Sequence, residues 1–213
     1  MQSKYLIIED FLDPINAQEA AEEINSSKSL VHAYRTTADY MPEKFTGSPK
    51  DLTGRSKAEN LLQSSLVSGE FTFRQRRLED HHPNCRCGYC KVIKDTLDTE
   101  DFKEYLSALS DISPLEIVKS FASVYEPGDF LSRHTDPNYD IAFILNLTED
   151  WKYEYGGCLH IFEEGIPKVI YPKFNSLVLM FLDGGIDHYV SEVSRLAPHP
   201  RIAISGWYNR TDK

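Results

Sequence analysis

The spacing of apolar positions divides the chain into two unlike parts. In the first part, apolar residues fall into helical groups with few strands between them. A short apolar strand is expected at 5–8. After Asp13-Pro14, the Ala- and Glu-rich stretch 16–24 reads as an amphipathic helix. Residues 43–56 mix Pro, Gly, Ser, Lys and Asp in the manner of a loop. A helix over 57–66, a strand over 71–76 after Gly69, and a helix over 100–110 complete this part. From about residue 115 short strand-like runs follow one another: 116–125, 141–147, 158–162, 168–171, 176–181, 189–193 and 201–208. Pro127-Gly128, Asp136-Pro137-Asn138, Gly156-Gly157, Gly165, Lys173-Phe174-Asn175 and Asp183-Gly184-Gly185 punctuate them as turns. So many short antiparallel strands in about 95 residues predict a sandwich or jelly roll. No repeat or linker divides the chain, so a single α+β domain with a mainly β core is expected. Residues 1–114 supply helices packed on one sheet and a substrate loop, and 115–209 the jelly-roll core.

Composition narrows the function more than the fold. The 213 residues can bury a substantial core, and 41% hydrophobic with 26% charged residues is ordinary for a soluble globular protein. A formal charge of −10 argues against a broad grip on a nucleic-acid backbone. The local exception is Arg74-Gln75-Arg76-Arg77, read either as a solvated strand end or as a contact for an acidic or peptide substrate. No run is apolar enough to act as a signal peptide or to span a bilayer, so no membrane partner is expected. Three of the four cysteines crowd into Cys85-Arg86-Cys87-Gly88-Tyr89-Cys90 and Cys158 stands alone, which suits a reduced, cytoplasmic protein. Oligomeric state is left open.

Candidate chemistry centres on Tyr125-Glu126-Pro127-Gly128-Asp129-Phe130-Leu131-Ser132-Arg133-His134-Thr135-Asp136. On an extended segment His134 and Asp136 share a face. His188, after the apolar run 177–181 and a Gly-Gly turn, is a suitable third ligand. Two imidazoles and a carboxylate on one face of an octahedral ion leave positions open, which suits non-haem Fe(II) and oxygen chemistry. Taken singly, His-x-Asp is as consistent with a surface pair or a turn. Arg201 adds weight, because it opens a strand whose alternate residues are apolar. A guanidinium at the mouth of an apolar barrel is costly unless it meets an anion, and its planar fork fits a carboxylate. The competing reading is an exposed arginine at a strand end.

With these residues in place, the stretch 117–208 resembles the prolyl-4-hydroxylase-like Fe(II)/2-oxoglutarate oxygenases. Asp150-Trp151, Gly156-Gly157-Cys158-Leu159-His160-Ile161-Phe162 and Arg201-Ile202-Ala203-Ile204-Ser205-Gly206-Trp207-Tyr208 carry the likeness, which is greatest to the ribosomal-protein prolyl hydroxylase branch. The resemblance implies a double-stranded β-helix with Fe(II) on His134, Asp136 and His188. Arg201 would hold the distal carboxylate of 2-oxoglutarate and Tyr125 would hydrogen-bond it. The reaction would consume O2, release succinate and CO2, and draw on ascorbate as an auxiliary reductant. An intact Asp136 implies hydroxylation rather than halogenation. Three features depart from the pattern. An insert at 196–200 lengthens the step from His188 to Arg201 and makes Arg195 a rival for the carboxylate. Position 146 is Asn where oxygen-sensing relatives carry a tyrosine, so Asn146 stands as a cosubstrate contact in its place. The ribosomal branch also carries a second, silent copy of the fold, for which this chain leaves no room. The implied substrate is a prolyl residue of a protein or peptide, with a free amino acid or small metabolite as the alternative and a silent jelly-roll binding module as the outside case.

The segment 71–90 lies where such relatives carry a substrate-covering hairpin and loop. Within it, His82, Cys85, Cys87 and Cys90 offer enough donors for a four-coordinate zinc. The spacing is not that of a standard finger. Free thiols near the active-site mouth and a redox pair are the other readings.

Overall fold

The computed structural model describes residues 4–35, 52–79, 85–182 and 185–211; the side chains of 34, 35 and 52–59 are not described. In the N-terminal part, β1 (Tyr5–Ile8), α1 (Pro14–Ser26), β2 (Val31–Arg35), α2 (Leu52–Val67) and β3 (Phe73–Leu78) lead to α3 (Gly88–Val92). A π-helical turn, Ile93–Leu97, joins α3 to α4 (Glu100–Ser110). The β core then runs through β4 (Leu115–Tyr125), β5 (Phe130–His134), β6 (Ile141–Asn146), β7 (Leu159–Glu163), β8 (Ile166–Ile170), β9 (Ser176–Phe181), β10 (His188–Val190) and β11 (Arg201–Arg210).

All strand pairs are antiparallel, and the strands follow the order β1-β9-β6-β11-β4-β3-β5-β10-β7-β8, with β2 added to β3. This curled sheet is the expected jelly roll. Its central strands β6 and β9 are apolar at nearly every position because both of their faces are covered. Ile141, Phe143, Leu145, Leu177 and Leu179 point to a core shared with the helices. Ala142, Ile144, Val178 and Met180 point the other way, into the space between the two halves of the roll. The period of two is present, but both of its phases are hydrophobic.

The helices pack on one face, as expected. Asp13 caps α1 by accepting from the Ile15 and Asn16 N–H groups at 3.0 and 3.4 Å, and Pro14 occupies the first turn. Ala17, Ala20, Ala21 and Ile24 then form one buried face. Gly88 of α3 lies so close to Ala20 that a Cβ would come within 2.6 Å of its Cα, and the Glu23 carboxylate accepts from the Gly88 N–H.

The chain from β4 to β5 passes from one half of the roll to the other, and β3 runs antiparallel to both. Arg76 faces Val124 and Arg74 faces Phe130, so residues 125–129 bulge opposite the single residue Gln75. The acidic bulge is pinned from β3: Arg74 Nε donates to Asp129 at 2.6 Å and Arg76 donates to Glu126. Gly128, at φ +90°, leaves room for the Arg74 guanidinium. Arg74 and Arg76 are therefore held by the bulge rather than standing as a solvated strand end.

Several expected boundaries shift. The second helix starts at Leu52, inside the expected loop. β2 lies outside the expected strands, and so does β5, where Ser132-Arg133-His134 breaks the apolar alternation that marks a strand. The expected strand 189–193 is shorter and begins at His188 itself.

Gly206 on β11 lies against Phe143 and the backbone of β4. A Cβ there would come within 2.5 Å of the Lys119 carbonyl oxygen and closer still to the Phe143 ring. Gly206→Ala is expected to destabilise the protein by about 1–3 kcal/mol, read as a lower urea midpoint at unchanged m value.

Candidate active site

The two histidines meet because of strand register. β10 pairs with β5 so that His188 sits directly across from His134. Their rings lie 4.2 Å apart between centroids. On the opposite face of the same two strands, Arg133 Nε donates to Asp187 at 3.0 Å and the guanidinium covers Phe162 at 3.9 Å. Asp136, just past the end of β5, brings its carboxylate to the pair: Oδ1 is 3.7 Å from His134 Nε2 and Oδ2 is 3.5 Å from His188 Nε2. The donor atoms of the three residues all fall within 4.8 Å of one another.

Both imidazoles are held for ligation. His134 Nδ1 is 2.9 Å from the Ser132 carbonyl and His188 Nδ1 is 2.9 Å from the Ile186 carbonyl. A carbonyl only accepts, so each Nδ1 carries the hydrogen and each Nε2 keeps its lone pair for an ion. Trp207 Nε1 donates to Asp136 Oδ2 at 2.9 Å, fixing the carboxylate. Phe71 stacks on His134 at 4.3 Å. Two nitrogens and one carboxylate oxygen on one side of a pocket match the facial donor set of non-haem Fe(II).

The triad opens on a cavity of about 680 Å³, large enough for a small diacid and part of a substrate. Arg201 and Tyr125 lie in its wall, paired across β11 and β4, with the guanidinium 5.1 Å from the tyrosine ring centroid. Arg201 is 2% exposed. Its Nη2 donates to Asn146 Oδ1 at 2.9 Å, its Nε has no partner, and no carboxylate pairs with it among the described residues. Burial pulls the guanidinium below its ordinary pKa, with the Tyr125 hydroxyl and Cys158 opposing the shift. A buried cation without an anion is expensive, and a bound carboxylate would relieve it. Gly157, at φ +63°, is required beside it: a Cβ would lie 2.9 Å from Arg201 Cδ.

The other expected site residues divide. Arg195, the rival for the carboxylate, is exposed and does not line the cavity. Asn146 is buried behind Arg201 and also donates to Ser176, so it positions the guanidinium rather than facing the cavity. Cys85, Cys87 and Cys90 come together in space, but against the helical core rather than at the cavity mouth. His82, the fourth donor expected there, lies outside the described residues.

The sequence offered Gln75 and Arg77 only as part of a run open to substrate contact, Phe71 only as part of a covering hairpin, and Trp207 only as part of the terminal strand. Trp207 shares a face of β11 with Arg201 by strict alternation, so the same period that flagged the arginine could have flagged it. Phe73, Gln75 and Arg77 alternate along β3 into the cavity. The Gln75 amide, oriented with its nitrogen toward the Tyr125 hydroxyl at 2.9 Å, accepts from Arg77 through its oxygen. Arg77 is held over Phe73 and Phe121 at 4.4 and 4.1 Å.

Residues 120–209, which include His134, Asp136, His188 and Arg201, match the sequence profile of the 2OG-Fe(II) oxygenase superfamily. Over that stretch, a little under half of its length, the chain is similar to that superfamily. The chain is 28% identical to prolyl 3-hydroxylase sudestada1 of Drosophila melanogaster over 137 residues, which is 56% of this chain and 25% of that protein. It is 33% identical to prolyl 3-hydroxylase OGFOD1 of Mus musculus over 118 residues, covering 51% of this chain and 22% of the other. The match to the Xenopus laevis protein of the same name covers 89% of this chain at 25% identity, and 36% of that protein. The chain thus spans between about a fifth and a third of the length of these relatives. Its fold is that of a prolyl hydroxylase from Trichoplax adhaerens solved with a hypoxia inducible factor peptide fragment, at TM-score 0.65 and 19% identity over 98% of this chain and 84% of that one. It also resembles a Pseudomonas putida prolyl-4-hydroxylase, at TM-score 0.60 and 18% identity over 97% and 92%. Among the described residues, no helix is long and apolar enough to cross a membrane.

The Trp207 hydrogen bond gives the site a direct test. Trp207→Phe keeps the ring but releases Asp136, and is expected to weaken Mn(II) or Co(II) binding by about 10–100-fold in a calorimetric titration.

Proposed function

We propose that this protein is a Fe(II)- and 2-oxoglutarate-dependent hydroxylase of a prolyl residue in a protein or peptide. The observation that carries the reading is the buried, anion-free Arg201 in the same cavity as the His134–Asp136–His188 set. An arginine beside an iron-type donor set fits a cosubstrate with a carboxylate at one end and metal-chelating oxygens at the other. The curated relatives are named prolyl 3-hydroxylases, which supports proline as the substrate residue and C3 as the carbon attacked.

In this reading His134 and His188 ligate through Nε2 and Asp136 through a carboxylate oxygen. Arg201 and Tyr125 hold the distal carboxylate of 2-oxoglutarate, and Asn146 holds Arg201 in place. The iron, when bound, supplies the activation of O2 that is coupled to oxidation of 2-oxoglutarate to succinate and CO2. The protein's part is positioning and the exclusion of water. Trp207 and the two backbone carbonyls fix the ligands, while Phe71, Leu159 and Val190 keep the cavity wall apolar. The mouth, with Arg77, Glu79 and Lys119 in its wall, is polar enough to take a peptide backbone. Ascorbate would serve only to keep the iron reduced. The β core 115–209 and its helical layer are read as one catalytic unit. A cytoplasmic location is supported by cysteines that lie close together yet remain free.

The test is a pair of coupled measurements on proline-containing peptides with Fe(II), 2-oxoglutarate and O2. Succinate and a product heavier by one oxygen should appear in equal amounts, and Asp136→Ala should abolish both. Succinate formation that survives that change would remove the triad from the mechanism. Oxidation of free proline in preference to every peptide would replace the protein substrate with a small one.

A further inference from the structure

The three clustered cysteines take no part in the site above. They lie on the helical side of the sheet, where α1, α3 and β4 pack together. Cys87 Sγ is 3.2 Å from Cys85 Sγ and 3.3 Å from Cys90 Sγ, and all three sulfurs fall within 4.8 Å of one another. None is joined in a disulfide.

We propose that Cys85, Cys87 and Cys90 form a structural thiolate site for zinc, separate from the iron triad. The local geometry presents all three sulfurs to one point. Cys85 and Cys87 are two apart, and Cys87 itself is extended, so that their sulfurs meet on one side of the chain. Cys87 and Cys90 are three apart at the start of α3, which stacks them on one helical face. The Cys87 N–H points at Cys85 Sγ at 3.5 Å, the kind of backbone donor that stabilises a thiolate. Zinc–sulfur bonds of about 2.3 Å in a tetrahedron set sulfurs roughly 3.8 Å apart, so the observed triangle needs only to open slightly.

Charge and packing point the same way. Three thiolates around a divalent ion carry one net negative charge, and Lys94 places its ammonium group against the Cys85 carbonyl at 3.3 Å. The backbone between the ligands is fixed from outside: Gly88 seats against Ala20 with no space for a Cβ, and Glu23 takes its N–H. A disulfide would join two of the sulfurs and strand the third, whereas an ion uses all three. Cys90 is buried while Cys85 and Cys87 are partly exposed, so an ion has a way in. Among the described residues no fourth donor joins the group, which leaves the fourth position to water or a further ligand. The role is to tie the connection after β3 to the helical layer.

The experiment uses the full chain carrying His134→Ala and Asp136→Ala, so that the triad holds no metal. Loaded with Co(II), this protein should bind one ion per chain and show a sulfur-to-cobalt charge-transfer band in the near ultraviolet, which Zn(II) then bleaches. Chelation should make the three cluster thiols reactive toward a thiol reagent. Adding Cys87→Ser should remove the band and weaken zinc binding by about 100-fold or more. The proposal is overturned if cobalt gives no such band in the cysteine-intact protein, a result that does not depend on any cysteine variant folding. Zinc content unchanged by Cys87→Ser, or a disulfide within the cluster of protein purified without air, would also overturn it.

Discussion

The site depends on one strand register, the pairing of His188 opposite His134 between β10 and β5. A slip of β10 by one residue would turn His188 out of the roll while His134 stayed in, and would part the pair. The pairing of Arg133 with Asp187 on the outer face marks the same register from the other side, although an ion pair this exposed contributes little stability by itself. Everything else at the triad follows from that alignment. Asp136 reaches both histidines because it follows β5 immediately, and the tautomers are set by carbonyls two residues before each histidine.

The second constraint is the buried charge at Arg201. Its surroundings are arranged to leave it available: Asn146 takes one nitrogen, Gly157 makes space, and no acidic side chain among the described residues neutralises it. Such a site is unstable as a structural device and sensible as a receptor for an anion. The fold tolerates it because helices and sheet bury a large apolar core on the far side of the same strands.

Much of this was legible in the sequence, for identifiable reasons. His134-x-Asp136 shares a face by simple alternation, and Arg201 stood out as a charge at the head of an apolar strand. The strands β6, β9 and β11 are long apolar runs and read easily. The strand that bears His134 did not, because β5 is short and polar and is held in place by its neighbours β3 and β10 rather than by its own propensity. Asn146 and Trp207 illustrate a further limit. Their partners lie 55 and 71 positions away, so alternation can put Trp207 on the Arg201 face but says nothing of what either residue touches. The cysteine cluster was visible as a motif, but its placement against α1 rather than the cavity mouth became clear only with the packing of Gly88 on Ala20.

The central claim is that one cavity holds a metal on the triad and a dicarboxylate between that metal and Arg201. Calorimetric titration of 2-oxoglutarate into the Mn(II)-loaded protein without O2 tests both halves together. The account predicts binding that requires the metal and that weakens sharply when 2-oxoglutarate is replaced by a 2-oxo acid lacking the distal carboxylate. Equal affinity for the two acids, or undiminished binding after the metal is removed, would contradict it.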